Sequence, residues 1–291
     1  MEDTLVRAVA RDGHLRGLAC TASDLVRHAC RRQGTSPTAS VALGRALSGG
    51  ALLGALLKGD QRVALKLEGN GPLRKILVEA RSDGSVCGYV GNPDADLPPR
   101  EGRFDVAGIL GRAGLLTVTK DLLLREPYSG TVQLYTSEIA EDLAFYLTES
   151  EQIPSAVGLG VRLGDDLEVA AAGGFLIQAL PPADDSAVAG VADRIQALPP
   201  LADMLGPGRP PDDILAFLFE DIPFDVVGRH SLAFRCGCSR ERVERALASL
   251  GREEILSLAK EMKGALIRCE FCGEPYRFEL QELERLAGTL H

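Results

Sequence analysis

RCGCSRERVERALASLGREEILSLAKEMKGALIRCEFCGEP, residues 235–275, gathers four of the chain's seven cysteines into two close pairs, Cys236 with Cys238 and Cys269 with Cys272. How this stretch folds decides how the chain is organised. The pairs face each other across about thirty residues of helical composition, so the candidates are a metal site, a redox pair, or both. Four thiolates suit a tetrahedral Zn²⁺ with every position filled, which is a structural rather than a catalytic site. CEFCG carries Gly273, where a tight turn can aim backbone N–H groups at sulfur. CGC leaves less slack around a metal, and its two sulfurs can also meet each other. His230 is the rival ligand. Between the pairs, Ser239 is placed to cap a helix presenting Val243, Ala246, Leu247 and Leu250 before Gly251. A second helix presents Ile255, Leu256, Ala259 and Met262, so the metal would tie together the ends of a helical hairpin. Arg235, Arg240, Arg242 and Arg268 stand beside the ligands and could offset the negative charge of a tetrathiolate.

Residues 236–291 hold nine bases and ten acids in a module small enough that a metal often completes such a fold. Structural zinc contributes about 10–16 kcal/mol in small peptides. A disulfide closing a ring of three or four residues contributes on the order of 1–2 kcal/mol. Oxidation within each pair would therefore exchange a staple across the module for two local links, and the module should unfold. The spacing permits a metal site whose oxidation is a conformational switch.

Upstream, residues 181–235 hold eight of the chain's sixteen prolines and nine acids against four bases, net −5 of the chain's −9. This acidic, Pro-rich linker is not a plain spacer. DSAVAGVADRIQAL and PDDILAFLFEDI predict short amphipathic helices, and Leu215, Phe217, Leu218 and Phe219 are too apolar for a solvated coil. The linker reads either as a helical connector packed on the preceding domain or as one that can come off and expose an apolar face.

Residues 1–180 predict an α+β domain. LVRAVARDGHLRGLAC alternates around Asp12-Gly13 as a hairpin. A helix follows with Ser23 as N-cap and Gly34 as stop. Ser36-Pro37 opens a small-residue helix that should be central. RVALKLEG, LRKILVEA and SVCGYVGN form an antiparallel meander, with further strands at 115–119 and 130–135. Ser137 is expected to cap a helix with Ile139, Leu143, Tyr146 and Leu147 on one face. A last hairpin turns at Gly164-Asp165. The expected fold class is thus α+β: a mainly antiparallel sheet with packed helices, a helical linker and a small zinc-binding module.

Composition excludes several classes. A net charge of −9 disfavours a broad nucleic-acid footprint. MEDTLVRAVARDG lacks an apolar signal core, and VALGRALSGGALLGALLKGD is too short and carries Arg45, so no membrane association and a cytoplasmic location are expected. Cys20, Cys30 and Cys87 are scattered and read as buried apolar side chains. A thiol oxidoreductase would need a thioredoxin-like context around CxxC, which is missing. A zinc-containing nucleic-acid-binding protein is the principal alternative.

TSPTASVALGRAL, GALLKGD, GYVGNP, EIAEDLAFYLTESEQIPSAV, CGCSRERV and CEFCGEPYRFEL together resemble the redox-regulated holdase chaperones of the heat-shock protein 33 family, over nearly the whole length. The resemblance implies no enzymatic activity. It implies a reduced form, inactive, with one Zn²⁺ on Cys236, Cys238, Cys269 and Cys272. Under oxidative stress, Cys236–Cys238 and Cys269–Cys272 disulfides would form, zinc would leave and the linker would unfold. It further implies that the active form is a homodimer holding unfolding client proteins without ATP, and no GxxxxGK[ST] loop occurs in the sequence. EMKGALIR is more basic than the acidic turn the family resemblance implies before the second pair.

Overall fold

The computed structural model describes residues 2–181, 185–206, 209–262 and 264–289. The chain divides into two compact units, Met1–Arg235 and Cys236–His291. The first runs β1 (Thr4–Ala10), β2 (Leu15–Thr21), α1 (Ser23–Gln33), α2 (Pro37–Gly54), β3 (Arg62–Gly69), β4 (Lys75–Arg81), β5 (Ser85–Val90) and α3 (Val106–Leu110). It continues through β6 (Gly114–Asp121), β7 (Tyr128–Gln133), α4 (Ala140–Glu149), β8 (Ser155–Leu163), β9 (Val169–Ala179), α5 (Asp185–Ala197), α6 (Leu201–Met204), α7 (Asp212–Phe219), β10 (Phe224–Ser231) and β11 (Ala233–Phe234). This is the expected α+β class. Its strands form two sheets, ordered β10-β1-β2-β9-β8 and β11-β5-β4-β3-β6-β7, antiparallel except where β11 pairs parallel to β5.

The hairpin turns as its sequence requires. Gly13 takes φ 80°, and Asp12 accepts the His14 N–H at 2.9 Å, an Asx turn. The Ser36 hydroxyl accepts the Ala39 N–H at the start of α2, with Pro37 in the first turn. Nearly every residue of α2 is buried, because it lies between the two sheets and packs on β8 and β9 of one and β3, β4 and β5 of the other. Small side chains make that close approach possible.

Two helix starts differ from expectation in the same way: a carboxylate rather than the expected serine takes the capping role. At α1 the N-cap residue is Ala22, and the Ser23 hydroxyl is engaged by the Ala172 N–H of β9. Asp3 instead accepts the Leu25 N–H at 2.7 Å. At α4 the N-cap position is Ile139, and Ser137, with φ 67°, donates its hydroxyl to the Gly111 carbonyl. The fully buried Asp142 accepts the N–H groups of Tyr135, Thr136, Ser137 and Ile139. The face made by Ile139, Leu143, Tyr146 and Leu147 is buried as expected.

The five-stranded sheet is covered on both sides. Successive residues of its strands enter different cores: Leu5 and Leu18 join the one around α2, while Val6 and Ala19 join a second one under α5, α6 and α7. This explains why β9, VAAAGGFLIQA, reads as a continuous apolar run rather than an alternation. The second core holds Ile214, Leu215, Leu218 and Phe219 of α7, while Phe217 stays 38% exposed. β2 offers a seat for it: a Cβ on Gly17 would lie 2.7 Å from the Phe219 ring and 3.0 Å from Leu215, so only glycine lets α7 come this close. Residues 224–231 of the acidic, Pro-rich segment are strand β10, which zips along β1 from Ala10↔Phe224 to Thr4↔Ser231. Pro223 lies immediately before this strand, and no proline lies within it. Among the described residues no helix is long and apolar enough to cross a membrane.

Candidate metal centre

The second unit contains α8 (Arg240–Ala248), α9 (Arg252–Met262), β12 (Gly264–Arg268), β13 (Pro275–Glu279) and α10 (Leu280–Gly288). Ser239 caps α8 as expected, its hydroxyl accepting the Arg242 N–H. The small core comprises Leu247, Ile255, Phe278, Leu283 and Ala287, with Val243 and Leu256 against it. Leu250 is 53% exposed because α8 ends at Ala248 and the chain turns away before Gly251. The side chains of Ala259 and Met262 lie outside the described residues.

The unit is not a helical hairpin alone. GALIR and PYRFE pair antiparallel from Gly264↔Glu279 to Arg268↔Pro275, and Cys269–Cys272 form the tip between them. The turn is closed by Gly273 N–H to the Cys269 carbonyl at 2.7 Å and Cys269 N–H to the Glu274 carbonyl at 3.0 Å, with Gly273 at φ 70°. That geometry brings the N–H groups of Cys272 and Phe271 to the Cys269 sulfur, and that of Glu274 to the Cys272 sulfur. Such donors stabilise thiolates and orient them as ligands.

All four sulfurs, from Cys236, Cys238, Cys269 and Cys272, lie within 4.8 Å of one another. Cys236 and Cys269 approach to 3.6 Å, and Cys238 and Cys272 to 3.3 Å. Sulfurs at the corners of a tetrahedron with bonds of about 2.3 Å stand about 3.8 Å apart, so the donor set and its spacing fit a thiolate-bound zinc-sized cation. None of the four is in a disulfide. His230 lies on β10 in the first unit and is not among the gathered groups.

Charge is distributed unevenly over the cluster. Burial pushes the Cys238 thiol up, but hydrogen bonds from the Tyr276 hydroxyl and the neighbouring thiols outweigh it and leave Cys238 below the ordinary value. Burial pushes Cys269 and Cys272 up, and interactions with neighbouring thiols add to the effect. Four thiols this close cannot all ionise without a cation to balance them. Three of the four arginines expected to help bond backbone carbonyls near the cluster rather than its sulfurs. Arg240 bonds the Arg277 carbonyl and Glu282, and its guanidinium lies 4.4 Å from the centre of the Phe278 ring. Arg242 and Arg268 bond the carbonyls of Gly237 and Gly273, bracing the ligand loops through their backbone.

Tyr276 escaped the sequence reading. Its hydroxyl reaches the Cys238 sulfur at 3.0 Å, from the strand that follows the other pair. The signal was present in PYRFE, whose alternation points Tyr276 and Phe278 to the same side of the hairpin. Cys20, Cys30 and Cys87 are buried in the first unit, as expected. Burial pushes the Cys20 thiol up to about 12 and raises Cys30 as well, which keeps both protonated and inert.

Residues 3–279 match the family model described as Hsp33 protein. The chain is 59% identical to a 33 kDa chaperonin of Geobacter sulfurreducens over 288 residues, covering 99% of this chain and 96% of that protein. It is 42% identical to a 33 kDa chaperonin of Halalkalibacterium halodurans, covering 98% and 99%. Among solved structures it resembles the 33 kDa chaperonin (heat shock protein 33 homolog) of Thermotoga maritima, with a TM-score of 0.91, 35% identity and 99% of each chain covered.

Proposed function

Because the chain belongs to the Hsp33 family and is thus a chaperone rather than an enzyme, we propose that it is a redox-regulated holdase that binds unfolding proteins without ATP. The observation that carries the redox part is the convergence of four sulfurs within 4.8 Å from two separate cysteine pairs. In the reduced protein Cys236, Cys238, Cys269 and Cys272 hold one Zn²⁺, which neutralises the thiolates and staples the second unit. Among the described residues its core has five buried apolar side chains, and a module of this size depends on such a staple.

Residues 1–180 serve as the chaperone core, 181–235 as the linker and 236–291 as the switch. Oxidation joins Cys236 to Cys238 and Cys269 to Cys272. Once the unit opens, neighbours in sequence have the highest effective concentration for one another. The chain between Cys236 and β11 is one residue long, so disorder in the second unit reaches the two-residue β11–β5 pairing directly. Release of α5, α6 and α7 then uncovers the apolar face of the five-stranded sheet and the apolar sides of the helices for clients. The oxidised form acts as a homodimer in the cytoplasm.

An aggregation assay with a thermally unfolding client tests this reading. The reduced, zinc-loaded protein should leave aggregation unchanged. Peroxide treatment with heat should release one zinc per chain and suppress aggregation. Hydrogen exchange should show protection lost over 185–219 and 236–289 and kept in β1–β9. Equal suppression by the reduced zinc form refutes the switch. A dominant Cys238–Cys269 or Cys238–Cys272 disulfide refutes the pairing, since either would restore the long-range staple, about 3–4 kcal/mol in loop entropy.

A further inference from the structure

A side chain from outside the two cysteine loops reaches into the cluster. The Tyr276 hydroxyl donates to the Cys238 sulfur at 3.0 Å, spanning 38 residues of sequence. The tyrosine is fixed from both ends. Its backbone pairs with Ile267 in the β12–β13 ladder, and its ring packs against the small core that includes Phe278. Cys269 and Cys272 receive their donors from the backbone of their own turn. Cys238, in the CGC loop, receives a hydroxyl carried by the opposite half of the unit.

We propose that Tyr276 is a positioning residue of the switch: its hydroxyl holds the Cys238 sulfur in the cluster and slows attack on it by electrophiles. This rests on the zinc–thiolate reading above. A hydrogen bond donated to a thiolate withdraws electron density from sulfur, and nucleophilicity falls with it. In oxidation by a peroxide, a ligand thiolate forms an S–O bond as the O–O bond breaks and hydroxide leaves. A second thiolate then displaces hydroxide from that sulfur to form S–S. Two electrons pass from the two sulfurs to the peroxide, and the second pair needs a second equivalent. Tyr276 damps the first of these steps at Cys238. It also ties CGC to β13 independently of the metal, so loss of one sulfur–metal bond does not by itself free the loop.

The test compares the full chain with Tyr276→Phe, which keeps the ring and removes the donor. Metal content is measured first. With one zinc on each protein, iodoacetamide should modify Cys238 about fivefold faster in the variant, the loss expected of one hydrogen bond of roughly 1 kcal/mol. The rates at Cys269 and Cys272 should stay near wild type. After cobalt substitution, the sulfur-to-metal charge-transfer band of the variant should move to lower energy, which a purely structural role for the ring would not produce. Should Tyr276→Phe fail to fold, proton and cadmium NMR of the cadmium-loaded wild type decides the matter. A slowly exchanging Tyr276 hydroxyl proton coupled to cadmium through the Cys238 sulfur supports the proposal, and a freely exchanging one overturns it. Coincident Cys238 rates and charge-transfer bands, with zinc on both proteins, overturn it alone. Wild-type protein that retains no zinc overturns the zinc reading, and this inference falls with it.

Discussion

Replacing Phe219 with alanine should detach the helices that cover the five-stranded sheet while leaving the cysteine cluster intact. Phe219 is fully buried, its ring against Gly17 of β2 and 5.2 Å from the ring of Phe224. It is one of four fully buried α7 side chains, with Ile214, Leu215 and Leu218. The ion pairs that also hold this segment, Arg229 with Asp212 at 2.8 Å and Arg194 with Asp221 at 2.9 Å, each have one exposed partner, Arg229 and Asp221, and contribute less than the buried ring. Truncating a buried phenylalanine to alanine costs about 3–5 kcal/mol. Applied to local opening, that multiplies the undocked population about a hundred- to several-thousand-fold. Amide exchange over 212–219, read by mass spectrometry on reduced, metal-loaded protein, should accelerate by that factor, while β1, β2 and β9 exchange as in the wild type. The variant should also suppress client aggregation without oxidant. Wild-type protection of 212–219 would refute the claim that this ring anchors the segment. Equal acceleration in β2 and β9 would show that the helices and the sheet unfold as one body, and the argument for a separable cover would fall.

Cys269→Ser should retain far less zinc than the wild type, whereas His230→Ala should retain all of it; elemental analysis of the reduced proteins reads both, and full retention by Cys269→Ser would dissolve the four-thiolate site. Asp142→Ala should lower the unfolding free energy by at least about 3 kcal/mol in urea titration, because four N–H groups lose their acceptor at a fully buried position; a loss below about 1 kcal/mol would mean that water reaches these groups. For Asp3, burial raises the carboxyl above its ordinary value of 3.8, although the Leu25 and Asp24 N–H groups pull it back. A raised folded value means that its favourable contribution is complete below the unfolded value and is lost as pH rises through the folded one. Asp3→Asn, which keeps an acceptor for Leu25, should therefore gain stability over the wild type as pH rises above the ordinary value of 3.8 and gain none at about pH 3; a difference independent of pH would contradict this.

The sequence disclosed what is written in neighbouring residues. Asp12-Gly13, Ser36-Pro37 and the CEFCG turn each hold their partners within a few positions, so their local chemistry is legible. The gathering of Cys236, Cys238, Cys269 and Cys272 was legible because few roles other than metal or redox chemistry explain two such close pairs. The caps of α1 and α4 were misread because Ser23 and Ser137 have the right composition but their hydroxyls are engaged elsewhere, while Asp3 and Asp142 have the right geometry. β10 was hidden because its pairing with β1 is a contact across more than two hundred residues, and the segment that holds it reads as an acidic, Pro-rich linker. Tyr276 was hidden for the same reason: its partner lies 38 residues away, and a lone tyrosine in an alternating strand looks like packing.

The register between β10 and β1 has a polymer-physics consequence. The segment between Ala179 and Phe224 is fastened at both ends to one sheet, with three strand spacings, about 14 Å, between the anchoring strands. Released from its seat, it is a tethered loop and not a free arm, and its own apolar side chains remain at an effective concentration of order millimolar beside the surface they left. A client present at micromolar concentration must bind that surface about a thousandfold more tightly than the loop does, a gap of about 4 kcal/mol, to occupy it half the time. Folded proteins with scattered surface leucines fall short of that threshold, whereas a chain with a whole core exposed exceeds it. Under the proposed function, as long as β10 stays zipped, the tether would act as a filter on what is held and would return the cover to its seat when the client leaves.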